Sequence, residues 1–243
     1  MHSTPQPAGP SRRMFLLRSV GAVAVTVVSV QTLAAEPAKE AEDLAGWKSL
    51  FDGKALGAWK SADFHKPGKV LVRDGAIVME KGSPMTGVTY GGGDFPKADY
   101  EVALEGKKLD GDDFFCTTTF PVGQSFCSFV VGGWGGTTVG LSSINSADAS
   151  ENETSTSKEF KPDVWYRVRI RVTADRIQAW IDDAKLVDAD IENRRISTRI
   201  ECNPNKPFGV ATYNTSGAVR NVRVRRLTAD EVKAARQKPA EKE

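Results

Sequence analysis

The side chains able to do chemistry in this chain gather in a few short segments. Residues Asn145 to Lys158 carry Asp148, Glu151, Asn152 and Glu153 among several serines and threonines. Carboxylates and amides this dense suit a hard cation, which takes oxygen ligands, or a general acid and base. The alternative is an ordinary solvated loop. Glu151 and Glu153 share one side only if that piece is extended. Asp110, Asp112 and Asp113 surround Gly111 just before a strand, which reads as a polar turn unless the strand carries a carboxylate into a cleft. His65, in Asp63-Phe64-His65-Lys66-Pro67, is one of only 2 histidines in 243 residues; the other is His2. Its unperturbed pKa suits proton transfer near neutrality, whereas an exposed loop histidine is the plainer reading. So few imidazoles exclude a multi-histidine zinc site.

Two further patterns concern binding. Gly132-Gly133-Trp134-Gly135-Gly136 sets four glycines around one indole. Glycines let a ligand approach the backbone and leave Trp134 as a stacking platform for a sugar ring; the other reading is a kinked crossover with Trp134 plugging the core edge. Arg167, Arg169 and Arg171, with Arg223 and Arg225, form either an anion-binding face or the solvated side of a sheet, cross-paired with acids. Trp47, Trp59 and Trp165 recur at strand ends and read as core and corner residues.

The elements that must position these groups are strands. Val70-Leu71-Val72 and Ala76-Ile77-Val78 bracket Arg73-Asp74-Gly75, a tight-hairpin signal. Tyr100, Val102 and Leu104 alternate with Glu101, Ala103 and Glu105; Val168, Ile170 and Val172 alternate with arginines; Ile177, Ala179 and Ile181 alternate with Gln178 and Trp180. About a dozen such runs argue for an all-β antiparallel sandwich as a single domain over residues 47–227. Thr228-Ala229-Asp230-Glu231 is a capping box, so a short helix is expected to about Arg236, within a C-terminal segment 228–243. Cys116 and Cys127 flank Phe120-Pro121-Val122-Gly123, a plausible hairpin turn. A two-residue loop would set them opposite for a disulfide, and a bulge at Gly123 would not; buried free thiols are the other reading.

The first 35 residues contain Arg12, Arg13 and Arg18 and no acid, followed by an apolar run from Val20 to Val30 and the small residues of Thr32-Leu33-Ala34-Ala35. This is similar to a twin-arginine export signal, which would be removed and leave a periplasmic or secreted protein without a membrane anchor. Residues 36–46 read as a charged linker. The whole chain has 33 basic and 31 acidic groups; without the leader 30 face 31, so no field for nucleic acid remains.

Trp47-Lys48-Ser49-Leu50-Phe51-Asp52-Gly53-Lys54-Ala55-Leu56 followed by Trp59 resembles the opening signature of the 3-keto-disaccharide hydrolase family. Val72-Arg73-Asp74-Gly75, Trp165-Tyr166-Arg167-Val168 and Val219-Arg220-Asn221-Val222-Arg223-Val224 fit its running order. The resemblance implies a concanavalin A-like jelly-roll sandwich and activity on 3-keto-glucosides. There the C3 ketone acidifies the C2 proton, a base removes it, the glycosidic oxygen leaves, and water then adds. Such chemistry needs a base, an acid for the leaving oxygen and a cation on the enolate, often a divalent metal. Two family strand motifs are replaced here, by Asp112-Asp113-Phe114-Phe115 and by Phe126-Cys127-Ser128-Phe129-Val130, so the family's polar residues do not carry over.

The readings are therefore an exported hydrolase or lyase on keto-sugars, with acids drawn from Asp112, Asp113, Glu151 and Glu153 and His65 as base; a noncatalytic glycan-binding domain using Trp134, Trp180 and Asn152; or an exported sandwich with an envelope role. A retaining glucanase is disfavoured, because its two carboxylates stand on a strand about 5 Å apart.

Overall fold

A computed structural model describes residues 46–237, so the leader, nearly all of the linker and the end of the tail lie outside it. The strands are β1 (Lys48–Ser49), β2 (Trp59–Ser61), β3 (Val70–Arg73), β4 (Ala76–Met79), β5 (Met85–Tyr90), β6 (Tyr100–Gly111), β7 (Thr117–Val122), β8 (Ser125–Gly132), β9 (Thr138–Ser142), β10 (Thr156–Ser157), β11 (Trp165–Val172), β12 (Arg176–Ile181), β13 (Ala184–Asp190), β14 (Gly209–Tyr213) and β15 (Thr215–Arg226). One sheet has the order β13-β12-β11-β6-β15-β4-β3, with β1 also on β15; the other runs β10-β9-β8-β7-β14-β5-β2. Every pairing between these strands is antiparallel.

Period-two alternation decides which side of each strand is dry. Val102 and Leu104 of β6, Val168 and Ile170 of β11, and Phe129 and Leu141 of β8 and β9 all point between the sheets, in one cluster with Phe115, Phe120 and Phe208. Each large side chain buried there contributes about 1.5–3 kcal/mol. The indole of Trp59 belongs to this core and donates from Nε1 to the Leu50 carbonyl at 2.8 Å. Asp74 and Gly75, with φ of 52° and 75°, make the tight turn between β3 and β4.

The cysteine geometry corrects one expectation. The loop between β7 and β8 does have two residues, but they are Gly123 and Gln124, because Val122 pairs with Ser125 and Phe120 with Cys127. Cys116 is therefore well out of register with Cys127, and both are buried free thiols. Burial pushes the Cys127 thiol up to about 12 and that of Cys116 higher.

After β15, Thr228 caps α1 (Ala229–Arg236): its side chain accepts from the Glu231 amide and the Glu231 carboxylate accepts from the Thr228 amide. No helix among the described residues is long and apolar enough to cross a membrane.

Candidate functional site

The faces of β7, β8, β9 and β14 turned away from the core carry Thr117, Ser128, Val130, Ser142 and Tyr213. With Met85 of β5 they floor a cleft of about 210 Å³. Its walls are Asp113-Phe114, Trp134, and Arg199, Glu201 and Cys202 around the short 3-10 helix Ile200–Asn205. Burial holds the Cys202 thiol up at about 11, so it faces the cleft protonated.

Trp134 owes its place to the glycines beside it. The backbone runs through positive φ at Gly132, Trp134, Gly135 and Gly136. At Gly133 an added Cβ would lie 2.8 Å from the side chain of Val130, so a larger residue would push the turn off β8. Asp113 holds this turn: its carboxylate accepts from the Phe114 amide at 2.7 Å and from the Gly135 amide at 3.3 Å. Trp134 itself sits at φ 47° and is 43% exposed. A left-handed conformation costs a bulky residue about 1–3 kcal/mol, and such strain tends to collect at binding sites.

Arg199 organises the opposite rim. It donates to Asp148 at 2.6 Å and to Glu201 at 3.1 Å, and its guanidinium lies 5.9 Å from the Trp134 ring centre. The hydrogen bond from Arg199 holds the Glu201 carboxyl below its usual range. Partial burial pushes the Asp148 carboxyl up, but hydrogen bonds from Ser150 and the Arg199 charge outweigh it and leave it lowered. Arg199 in turn is raised, first by its hydrogen bond to Glu201.

The residues singled out from sequence distribute as follows. Asp113 and Trp134 line the cleft. Asp112 is exposed, with its carbonyl beneath Gly136. The acidic loop contributes Asp148 through Arg199, whereas Glu151 faces solvent and Glu153 pairs with Arg194 at 2.7 Å. Asn152 is buried: its amide nitrogen donates to the Leu141, Ala147 and Asp148 carbonyls, and its oxygen accepts from the amide and hydroxyl of Thr154. That leaves it no hydrogen-bonding capacity for a ligand. His65 is exposed and does not line the cleft, although neighbouring Phe64 packs in one cluster with Met85 and Cys202. Trp180 stands on β12 of the other sheet with Arg169 3.9 Å from its ring centre, so it cannot share a ligand with Trp134. Arg199, Glu201 and Tyr213 were not singled out. Their signal was weak: Arg199-Ile200-Glu201 reads as loop text, and Tyr213 as a strand end.

A divalent metal does not fit. Among the described residues no three His, Cys, Asp or Glu converge on a common point. The two carboxylates nearest the rim, Asp148 and Glu201, already share the Arg199 cation.

Solved structures share this architecture. The Crh5 transglycosylase in complex with NAG aligns with TM-score 0.52 at 14% identity, covering 75% of this chain and 85% of that one. The exoplasmic/lumenal domain of VIP36 in its Ca2+/Man3GlcNAc-bound form gives 0.52 at 12% identity, covering 80% and 97%. At these identities the likeness is one of fold. No curated relative matches the sequence. The sequence does match, over residues 46–225 and so across both sheets, the family described as 3-keto-alpha-glucoside-1,2-lyase-like domain, and the chain belongs to that family.

Proposed function

We propose that the protein is an exported enzyme that opens the glycosidic bond of 3-keto-glycosides in the cleft beneath Trp134. The observation that carries this reading is the meeting of an indole, a guanidinium and an ionised carboxylate, Trp134, Arg199 and Glu201, at one cleft in a member of this family. Trp134 stacks on the sugar ring. Glu201, ionised through Arg199, removes the proton from C2. A guanidinium has five N–H donors, so Arg199 has donors beyond the two it spends on Asp148 and Glu201 to meet the enolate oxygen formed from the C3 ketone. The C1–O bond then breaks, C1=C2 forms, and Tyr213 protonates the departing oxygen. Water adding across C1=C2 returns the keto-sugar. The chain's own residues supply the base, the cation and the acid.

Purified mature protein incubated with a 3-keto-glucoside tests this: aglycone is released, and Glu201→Gln lowers the rate about 100-fold, the scale of a positioned general base.

A second reading is favoured by the pairing of Glu201 with Arg199, which ties up the base. It is a noncatalytic glycan-binding domain, as fits the sugar-bound forms of structures that share the fold. Absence of aglycone release from wild type, together with thermal protection by glycans, would establish it. The leader supports export; detection of the processed chain outside the cytoplasm tests that part.

A further inference from the structure

The outer face of the other sheet repeats one arrangement three times along β6, with a change in the middle. Glu101 is flanked in register by Arg171 and Arg225, and Glu105 by Arg167 and Arg220. Between them Ala103 is flanked by Arg169 and Arg223. Glu101 accepts from Arg171 at 2.8 Å and from Arg225 at 3.2 Å, and Glu105 accepts from Arg220 at 2.7 Å. The middle row has two guanidiniums and, in place of a carboxylate, a methyl group. Arg169 leans 3.4 Å toward Glu101. Arg223 is the one guanidinium lining this groove without an ion pair among the described residues. Its Nε is buried without a hydrogen-bond partner, and its charge rests 5.1 Å from the Trp47 ring centre.

A groove of about 540 Å³ opens over this row, within the range of about 300–1,000 Å³ typical of small-molecule sites. Besides Ala103 and the two arginines its walls include Trp47, Asn221 and Asp182.

We propose that this groove is a second site, which takes the carboxylate of a hexuronic acid residue over Ala103, between Arg169 and Arg223. The ligand's carboxylate occupies the place that a glutamate side chain fills in the rows on either side, and it gives the Arg223 guanidinium its missing counter-ion. The remaining walls select the rest of the ligand. Asp182 accepts from hydroxyl groups, and Trp47 offers an apolar surface to the C–H groups of a pyranose ring. Neutral sugars lack the group that the row is missing. The site is independent of the Trp134 cleft, which lies on the other sheet.

Calorimetric titration of the mature protein with methyl glucuronide, methyl glucoside and sodium acetate tests the site. Glucuronide is expected to bind at least 10-fold more tightly than either of the others, with an affinity that falls as salt is added. Ala103→Glu supplies the carboxylate from the chain itself and should abolish this binding while raising the melting temperature. Arg223→Gln should weaken it at least 10-fold. Asn221→Asp, an exposed change beside the bound anion, should also weaken it and decides the matter if Arg223→Gln fails to fold. Trp134→Ala should leave it unchanged. The proposal is overturned by an absence of glucuronide binding, by equal binding of glucoside or acetate, by full binding in Ala103→Glu, or by loss of binding in Trp134→Ala.

Discussion

Asp148 accepts from Arg199 at 2.6 Å across 51 residues of chain, tying the acidic loop to the rim of the cleft. Asp148 is itself fixed, since the amide and hydroxyl of Ser150 both donate to its other oxygen. The loop therefore acts on the site through Arg199.

Replacing Asp148 with Asn removes the charge that holds Arg199 in place. We expect aglycone release or glycan affinity to fall about 10-fold, with stability reduced by no more than about 1 kcal/mol, because the pair is partly exposed. Kinetics or titration beside a urea melt separates the two effects.

Trp134 offers a paired comparison. Both Trp134→Ala and Trp134→Gly remove the indole and should weaken sugar binding at least 10-fold. Glycine adopts positive φ without strain, so Trp134→Gly should be more stable than Trp134→Ala by about 1 kcal/mol. Equal melting temperatures would mean that the turn relaxes in the alanine variant.

Asn152→Ala should destabilise the fold by about 2–4 kcal/mol, since it strips partners from the buried Leu141 carbonyl and from Thr154. A variant that keeps wild-type stability but loses sugar affinity would place Asn152 in ligand contact instead.

Glu231 joins the capping box to the arginine face, and its hydrogen bond with Arg225 lowers its carboxyl from 4.5 to about 2. A lowered folded-state value stabilises the protein above the unfolded value, and the gain is lost as pH falls from about 4.5 toward about 2. Glu231→Gln should cost about 1 kcal/mol at pH 7, a typical capping contribution. The gap from wild type should close over that acid range in pH-dependent melts.

Much of the sandwich was legible because alternation is a local property. The β3–β4 turn, the inward rows of β6 and β11 and the capped α1 each follow from residues a few positions apart. The cleft was legible only in part. Trp134 and Asp113 stood out by composition, and both line it. Arg199 and Glu201 did not, because their meaning comes from Asp148 and Trp134, which are distant in sequence. The disulfide geometry turned on which two residues form the β7–β8 loop, and a shift of the turn by two positions moved every cross-strand pair.

The sequence by itself determined that this chain builds layered antiparallel strands, which side of each strand is apolar, and the family it belongs to. The first two follow because side-chain periodicity and turn chemistry act over a few residues, and the family because its resemblance lies in short motifs such as Leu50-Phe51-Asp52-Gly53-Lys54. Only the tertiary structure decided which polar groups meet. The docking of the segment that leads into the 3-10 helix brings Arg199 to Trp134, and strand order sets Trp180 on the opposite sheet. Cross-strand register sets Arg169 and Arg223 on either side of Ala103. Such pairings depend on how distant segments dock, which local alternation leaves open.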